Sequence, residues 1–259
     1  MFFFILHWYL SIFTQTFFLH RYAAHGMFKM SKFWERFFYI FTFLAQGSSY
    51  LSPRTYGLMH RLHHAHADTE HDPHSPSHSH NLFDMMWQTR RIYLDIGKGA
   101  YTVEEKYHKN LPDWSAFDKF AESIFTRIFW SLAYVAFYAA FAPSYWWFLL
   151  VPIHITMGPV HGVIINWFSH TIGYRNFKVD DTSTNYLPFD FLTMGEGYHN
   201  NHHTFGQRPN FGGIRWHEID LTWWIIKMLD KVGVLELRQA KTIDVRTKVI
   251  RRQRRAANI

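Results

Sequence analysis

Four short stretches decide how this chain folds: HRYAAH at His20–His25, HRLHH at His60–His64, NWFSH at Asn166–His170 and HNNHH at His199–His203. Together they carry nine histidines: His20, His25, His60, His63, His64, His170, His199, His202 and His203. Imidazole is the commonest nitrogen donor to iron and zinc. Rings three or four residues apart leave one helical face toward a single point. Nine donors are more than twice what one tetrahedral zinc takes, so two metal ions are the economical reading. The H-x-x-H-H spacing of HRLHH recurs in HNNHH far away in sequence, which makes coincidence remote.

Each stretch lies at the edge of an apolar run, and a run of about 20 residues crosses a bilayer. Three runs qualify: Met1 to about Leu19, about Ile124–Ala142 and about Tyr145–Phe168, the last two joined at Ala142-Pro143-Ser144. The first resembles a signal peptide in hydropathy alone. It has no basic start and no small-residue cleavage site, and cleavage would remove His20. A fourth run, about Phe33–Leu51, carries Glu35 and Arg36 near its start. A single crossing there would put HRLHH about 30 Å from HRYAAH, too far to share a centre. It therefore enters and returns, or lies along the interface as an amphipathic helix. The expected architecture is an all-α membrane protein of one domain, 1–259. It has three spans, this interfacial or re-entrant helix, and polar parts at 52–119 and 171–259 that form a helical cap over a di-metal site. Lys29, Lys32, Arg36, Arg54, Arg61, Arg90 and Arg91 share the histidine face, which the positive-inside rule makes cytoplasmic.

Composition supports this division. The 259 residues are 48% hydrophobic and 20% aromatic, yet the mean hydropathy is only −0.20, because apolar blocks alternate with polar ones. With no cysteine there is no disulfide and no thiolate metal site. The net charge of +7 suits anionic lipid, an anionic substrate or an acidic electron carrier. No nucleic-acid motif accompanies the basic residues, so nucleic acid is not an expected partner. Arg246, Lys248, Arg251, Arg252, Arg254 and Arg255 read as a solvated or lipid-touching tail.

Other residues invite a role. Asn166 precedes His170 by four residues near the end of a span, and a buried amide there needs a hydrogen-bonding reason. Orienting a metal-bound water would supply one. HADTEHDPHSPSHSH reads as an irregular loop whose His66, His71, His74, His78 and His80 are solvated. Asp68, Glu70 and Asp72 are expected to hydrogen-bond the far nitrogens of ligand imidazoles. His154 and His161 flank Gly158-Pro159 and suggest a kink with a packed polar pair. His7, His108 and His217 read as structural or surface residues.

Zinc hydrolases usually add a carboxylate ligand or an H-E-x-x-H base, and neither motif is present. A metal transporter would place its ligands at the bilayer midplane rather than the edge. Oxygen activation by two irons fits better, with a long alkyl chain as the substrate a membrane enzyme can reach.

HRYAAH, HRLHH followed by TEHDPHS, NWFSH followed by GYRNF, GEGYHNNHH and RWHEIDLTWWIIKMLDKVG resemble the membrane fatty-acid desaturases. The likeness is to the acyl-CoA and acyl-lipid branch acting near the ninth carbon, and it covers about Thr16 to Leu235. It implies two iron ions, O2 and two electrons, and a cis double bond in a fatty acyl substrate. It implies all nine histidines as ligands and catalytic residues, and Asn166 holding a water on one iron. The electron donor would be a ferredoxin or a b-type cytochrome with its reductase, and the location a bacterial inner membrane. Eukaryotic relatives have a further span before the one that ends in the first box. The resemblance therefore implies a short prokaryotic form or a late start. A histidine-box hydroxylase shares the ligand chemistry and is the alternative. Trp8, about 18 Å along a helix from His20, is expected to floor an acyl tunnel with Phe4 behind it.

Overall fold

The computed structural model describes residues 1–238; the basic tail from Arg246 to Arg255 lies outside the described residues. The described residues are mostly helical, with a short antiparallel pair in which β1 (Phe28–Met30) meets β2 (Leu235–Leu237).

Helix α1 spans Phe2–Ala24 without a charged residue until Arg21. Its first part, Phe2–Thr14, is α-helical, and Gln15–Ala24 continues as π-helix. The chain then turns through β1 into α2 (Lys32–Gln46), whose start is capped by Ser31 accepting from the Trp34 N–H. α2 packs back along α1. Its far end reaches the third membrane segment, where Ser48 Oγ donates to the Ile155 carbonyl at 2.9 Å. At Gly47 (φ +53°) a Cβ would collide with the Tyr134 hydroxyl, so only glycine fits this turn.

Helix α3 (Pro53–His66) brings the chain back toward the end of α1, with Ser52 as N-cap and Pro53 in the first turn. After the histidine-rich loop, Asn81 caps α4 (Leu82–Gly97). A short α5 (Ser115–Ala121) leads to α6 (Ile124–Phe141), which opens at a Ser123 cap and is apolar enough to cross a membrane. A third apolar segment is broken into α7 (Tyr145–Ile155) and α8 (Met157–Thr171), bent by 71°, and is a broken span or a re-entrant loop. Thr156 is non-helical at the break. Pro159, two residues after it, has no N–H to continue the ladder, and the Gly158 N–H is taken by Ser49 Oγ at 3.0 Å. The kink expected around Gly158-Pro159 is present. The polar pair it was expected to hold is different: His154 Nδ1 lies 2.6 Å from His7 Nδ1, and Tyr138 bonds its other nitrogen at 2.8 Å. His161 instead packs edge-on against Trp8.

The C-terminal cap carries α9 (His199–Thr204) and α10 (Leu221–Lys231). A buried Arg21–Asp220 ion pair at 2.8 Å fastens α10 to α1, and Asp220 also caps α10 by accepting from the Trp223 N–H. Phe17, Phe18, Phe28, Phe38, Tyr39 and Phe211 fill the space between α1, α2 and the cap.

Candidate metal centre

The first box is the least regular in spacing and the most informative in structure. Residues five apart on an α-helix sit about 140° from each other. Here the backbone is π-helical, and the His25 N–H donates to the His20 carbonyl at 3.1 Å. That i→i+5 bond stacks the fifth residue over the first, so the two rings come within 4.9 Å of each other. Helix α3 presents His60, His63 and His64, α8 ends in His170, and α9 supplies His199, His202 and His203.

All nine rings meet, in two groups. His20, His25, His60, His64 and His202 place one nitrogen each within 4.8 Å of one another; His63, His170, His199 and His203 form the second set on the same criterion. In the first group, His20 Nε2 lies 3.1 Å from His202 Nε2, and His25 Nε2 is 2.9 Å from His60 Nε2. In the second, His63 Nε2 lies 3.3 Å from His203 Nε2.

Carboxylates behind the rings set their orientation. His20 Nδ1 bonds Glu196 at 2.7 Å, His63 Nδ1 bonds Asp72 at 2.9 Å, and His203 Nδ1 bonds Asp181 at 2.9 Å. His170 Nδ1 bonds the Thr182 hydroxyl at 3.1 Å, which in turn donates to Asp68 at 2.8 Å. Each outer nitrogen is thereby made the donor, which leaves Nε2 a lone pair directed inward. Asp68 and Asp72 are where the sequence put them. Glu70 is exposed and orients nothing among the described residues. Glu196, Asp181 and Thr182 were not anticipated; only Glu196, three residues before HNNHH, offered a local signal. His74, read as solvated, is buried, with its ring stacked 4.2 Å from His63. The loop folds inward because Asp72 accepts from both His63 Nδ1 and the His74 backbone N–H. His71, His78 and His80 are exposed, as expected.

The electrostatics favour neutral rings. Burial, then the neighbouring imidazoles, holds His25, His60, His64, His199, His202 and His203 well below the usual histidine value. Burial pushes Asp72 up, but His63 beside it outweighs that and holds the carboxyl well below its usual range. Glu196 behaves likewise, with His20 and Arg21 opposing its burial. Neutral imidazoles backed by anions are what a divalent cation binds. Both ring nitrogens of His199, and Nε2 of His170, are buried with no partner in the described structure. Leaving them so would cost about 1–3 kcal/mol each, and a metal ion would satisfy one nitrogen of each ring. The residues fit such ions.

A cavity of about 780 Å³ opens from these rings. His20, His60, His199 and Asn166 line it at the metal groups, and Ser48, Ser49, Ile155 and Gly158 line it where α2 meets the α7–α8 break. Trp8 and Phe4 are not among its lining residues. The Trp8 indole N–H instead donates to the Leu192 carbonyl at 3.0 Å.

A family model described as fatty acid desaturase matches residues 1–238. The chain is 30% identical over 230 residues to an acyl-CoA C20 Delta5-desaturase of Anemone leveillei, covering 86% of this chain and 68% of that protein. It is 29% identical over 220 residues to delta-9 acyl-lipid desaturase 1 of Arabidopsis thaliana, covering 83% and 67%. To an sn-1 stearoyl-lipid 9-desaturase of Anabaena variabilis it is 28% identical over 234 residues, covering 89% and 80%.

Proposed function

The chain belongs to the fatty acid desaturase family, and on that premise we propose that it is an oxygen-dependent acyl desaturase with a di-iron centre held by its nine clustered histidines. The reaction removes two hydrogens from adjacent methylenes near the ninth carbon of a saturated chain. O2, two electrons and two protons complete the balance, giving a cis double bond and two waters. Bound at these nitrogens, the two irons would supply the oxygen activation that an unactivated C–H bond demands.

The chain's own residues do the rest. Glu196, Asp72, Asp181 and the Thr182–Asp68 relay fix the tautomers of His20, His63, His203 and His170. Asn166 lines the same cavity as His199 and precedes His170 by four residues, and its amide would orient a water for an ion held by the four-ring group. The apolar cavity keeps bulk water from a methylene chain threaded past the rings. The observation that carries the reading is the convergence of all nine imidazoles into two adjoining groups, with His20, His60 and His199 of these groups lining that cavity.

The relatives named for acyl-CoA and acyl-lipid substrates support a fatty acyl substrate here. Electrons arrive from a ferredoxin or a b-type cytochrome, acidic proteins that suit a chain of net charge +7. The basic residues that share the histidine face support a site on the cytoplasmic side of its membrane, and the location proposed with it is a bacterial inner membrane. Expression in a host without desaturases, followed by fatty-acid profiling, tests the activity. A product lighter by two hydrogens is expected. A product heavier by one oxygen atom would make the protein a hydroxylase, and an unchanged profile would remove the reading.

A further inference from the structure

The cavity has an outer end as well as a metal end. It opens between α4 and the start of α6, where Phe83, Trp87 and Ile124 form its rim. These are exposed side chains, at 78%, 59% and 64%. They continue into the outward face of α6, where Phe125, Ile128, Phe129 and Leu132 are also exposed. On a membrane span that face meets lipid. A rim apolar on its outside and continuous with a lipid-facing helix opens sideways into the bilayer, not upward into water.

The charges at this opening are few. Arg127 is committed: it donates to the backbone carbonyls of Ser48 at 2.6 Å and Tyr50 at 3.1 Å, and lies 3.9 Å from Glu122. Glu122 accepts from the Tyr93 hydroxyl at 2.6 Å and puts a negative charge on the rim. Arg90 is exposed, has no carboxylate partner among the described residues, and rests 5.4 Å from the Trp87 ring. One free cation beside an acid, among the described residues, is a poor match for coenzyme A, which carries a pyrophosphate and a further ribose phosphate. It matches a single phosphodiester held at the headgroup level, where a tryptophan and an arginine side by side commonly anchor.

From this geometry we infer that the substrate is an acyl chain still esterified in a bilayer phospholipid. It enters sideways between α4 and α6, with Arg90 on its phosphate. The inference rests on the desaturase reading and narrows its substrate class. The acyl chain slides past Trp87 and Ile124 toward His60 and Asn166 while the glycerol stays at the interface. The enzyme therefore needs no soluble carrier to deliver or remove its chain.

The test uses membranes that contain the protein and its electron donor and already produce an unsaturated profile in cells, so that the desaturase reading is settled first. Phosphatidylglycerol labelled with heavy carbon in both its glycerol and its stearoyl chain is supplied in vesicles. If the chain reacts in place, mass spectrometry finds the double bond in molecules that keep both labels together. Arg90→Glu is expected to raise KM for this lipid about tenfold, while kcat at saturation changes little. Arg91→Glu, one residue away and outside the cavity lining, keeps the wild-type KM. Desaturation found only in stearoyl-CoA or stearoyl-acyl carrier protein, or labels that separate before the double bond appears, would overturn the inference. So would an unchanged KM in Arg90→Glu.

Discussion

The two histidine groups differ in what stands behind them. The group of five has one carboxylate at its back, Glu196 on His20. The group of four has two in direct contact, Asp72 and Asp181, and a third, Asp68, acting through Thr182. Five neutral nitrogens nearly saturate a first-row metal by number alone. Four leave a position open, and anions behind the rings make up in basicity what is missing in count. The comparison teaches that, on the proposed di-metal reading, ligand number and ligand orientation would be traded against each other across the centre. The four-ring group, which contains His170 four residues after Asn166, would then be the side with room for exchangeable water.

The largest effects come from removing a ring. His202→Ala reduces the group of five to four, and His199→Ala reduces the group of four to three. Both are expected to abolish turnover in an assay of the whole-cell fatty-acid profile, because the chemistry requires both groups. Exposed His78 and His80 are the controls: alanine at either keeps most of the activity. Wild-type profiles in His202→Ala would break the account of the five-ring group.

Next come the carboxylates. Asp72→Asn and Asp181→Asn keep the shape but remove the charge that fixes the His63 and His203 tautomers. Each is expected to weaken metal retention at the four-ring group by about 10–100-fold, measured by competition with a chelator. Glu196→Gln acts on one ring of five and is expected to cost less. A larger loss from Glu196→Gln than from Asp72→Asn would reverse the comparison.

Smaller again is Asn166→Leu. With its amide gone but every imidazole present, the protein is expected to hold most of its metal and lose most of its activity. Equal activity in the variant would reduce Asn166 to a packing residue.

Much of this was legible in the sequence. Hydropathy marked the apolar runs that form α1, α6 and α7–α8, two or three of them candidate spans by length and composition. Histidine spacing named all nine rings, since H-x-x-H-H points along one helical face whatever surrounds it. What was not legible depends on contacts across many residues. Asp181 reaches His203 over 22 positions, and no local pattern marks it. The convergence of His20 and His25 was not legible, because an α-helix would turn the rings apart and π-helical backbone has no plain sequence signal. His74 sits in a stretch that reads as solvated by composition, yet Asp72 draws it under His63. Arg21 and Asp220, 199 positions apart, form a buried pair that joins the first span to the cap.

Far from both groups, Asp118 supplies the smallest effect and a check on stability alone. Burial pushes its carboxyl up to about 6, against hydrogen bonds from Tyr50 and Ser52 that lower it. Between the usual carboxylate value and about 6, the folded protein holds a proton that the unfolded chain releases. Stability therefore falls as pH rises across that window, by about 1–3 kcal/mol in all. In detergent, the melting midpoint is expected to fall between pH 4.5 and 6.5 by a few degrees more in the wild type than in Asp118→Asn. An identical decline in both would show that the carboxyl titrates normally.

The most direct test of the central claim is metal content, measured by mass spectrometry of elements on purified protein with protein quantified by amino-acid analysis. Two irons per chain are expected in the wild type. His202→Ala should keep one iron firmly, in the four-ring group with its carboxylates, and His199→Ala should keep one in the group of five. One metal ion per wild-type chain, or zinc in place of iron, would contradict a di-iron centre divided between five rings and four.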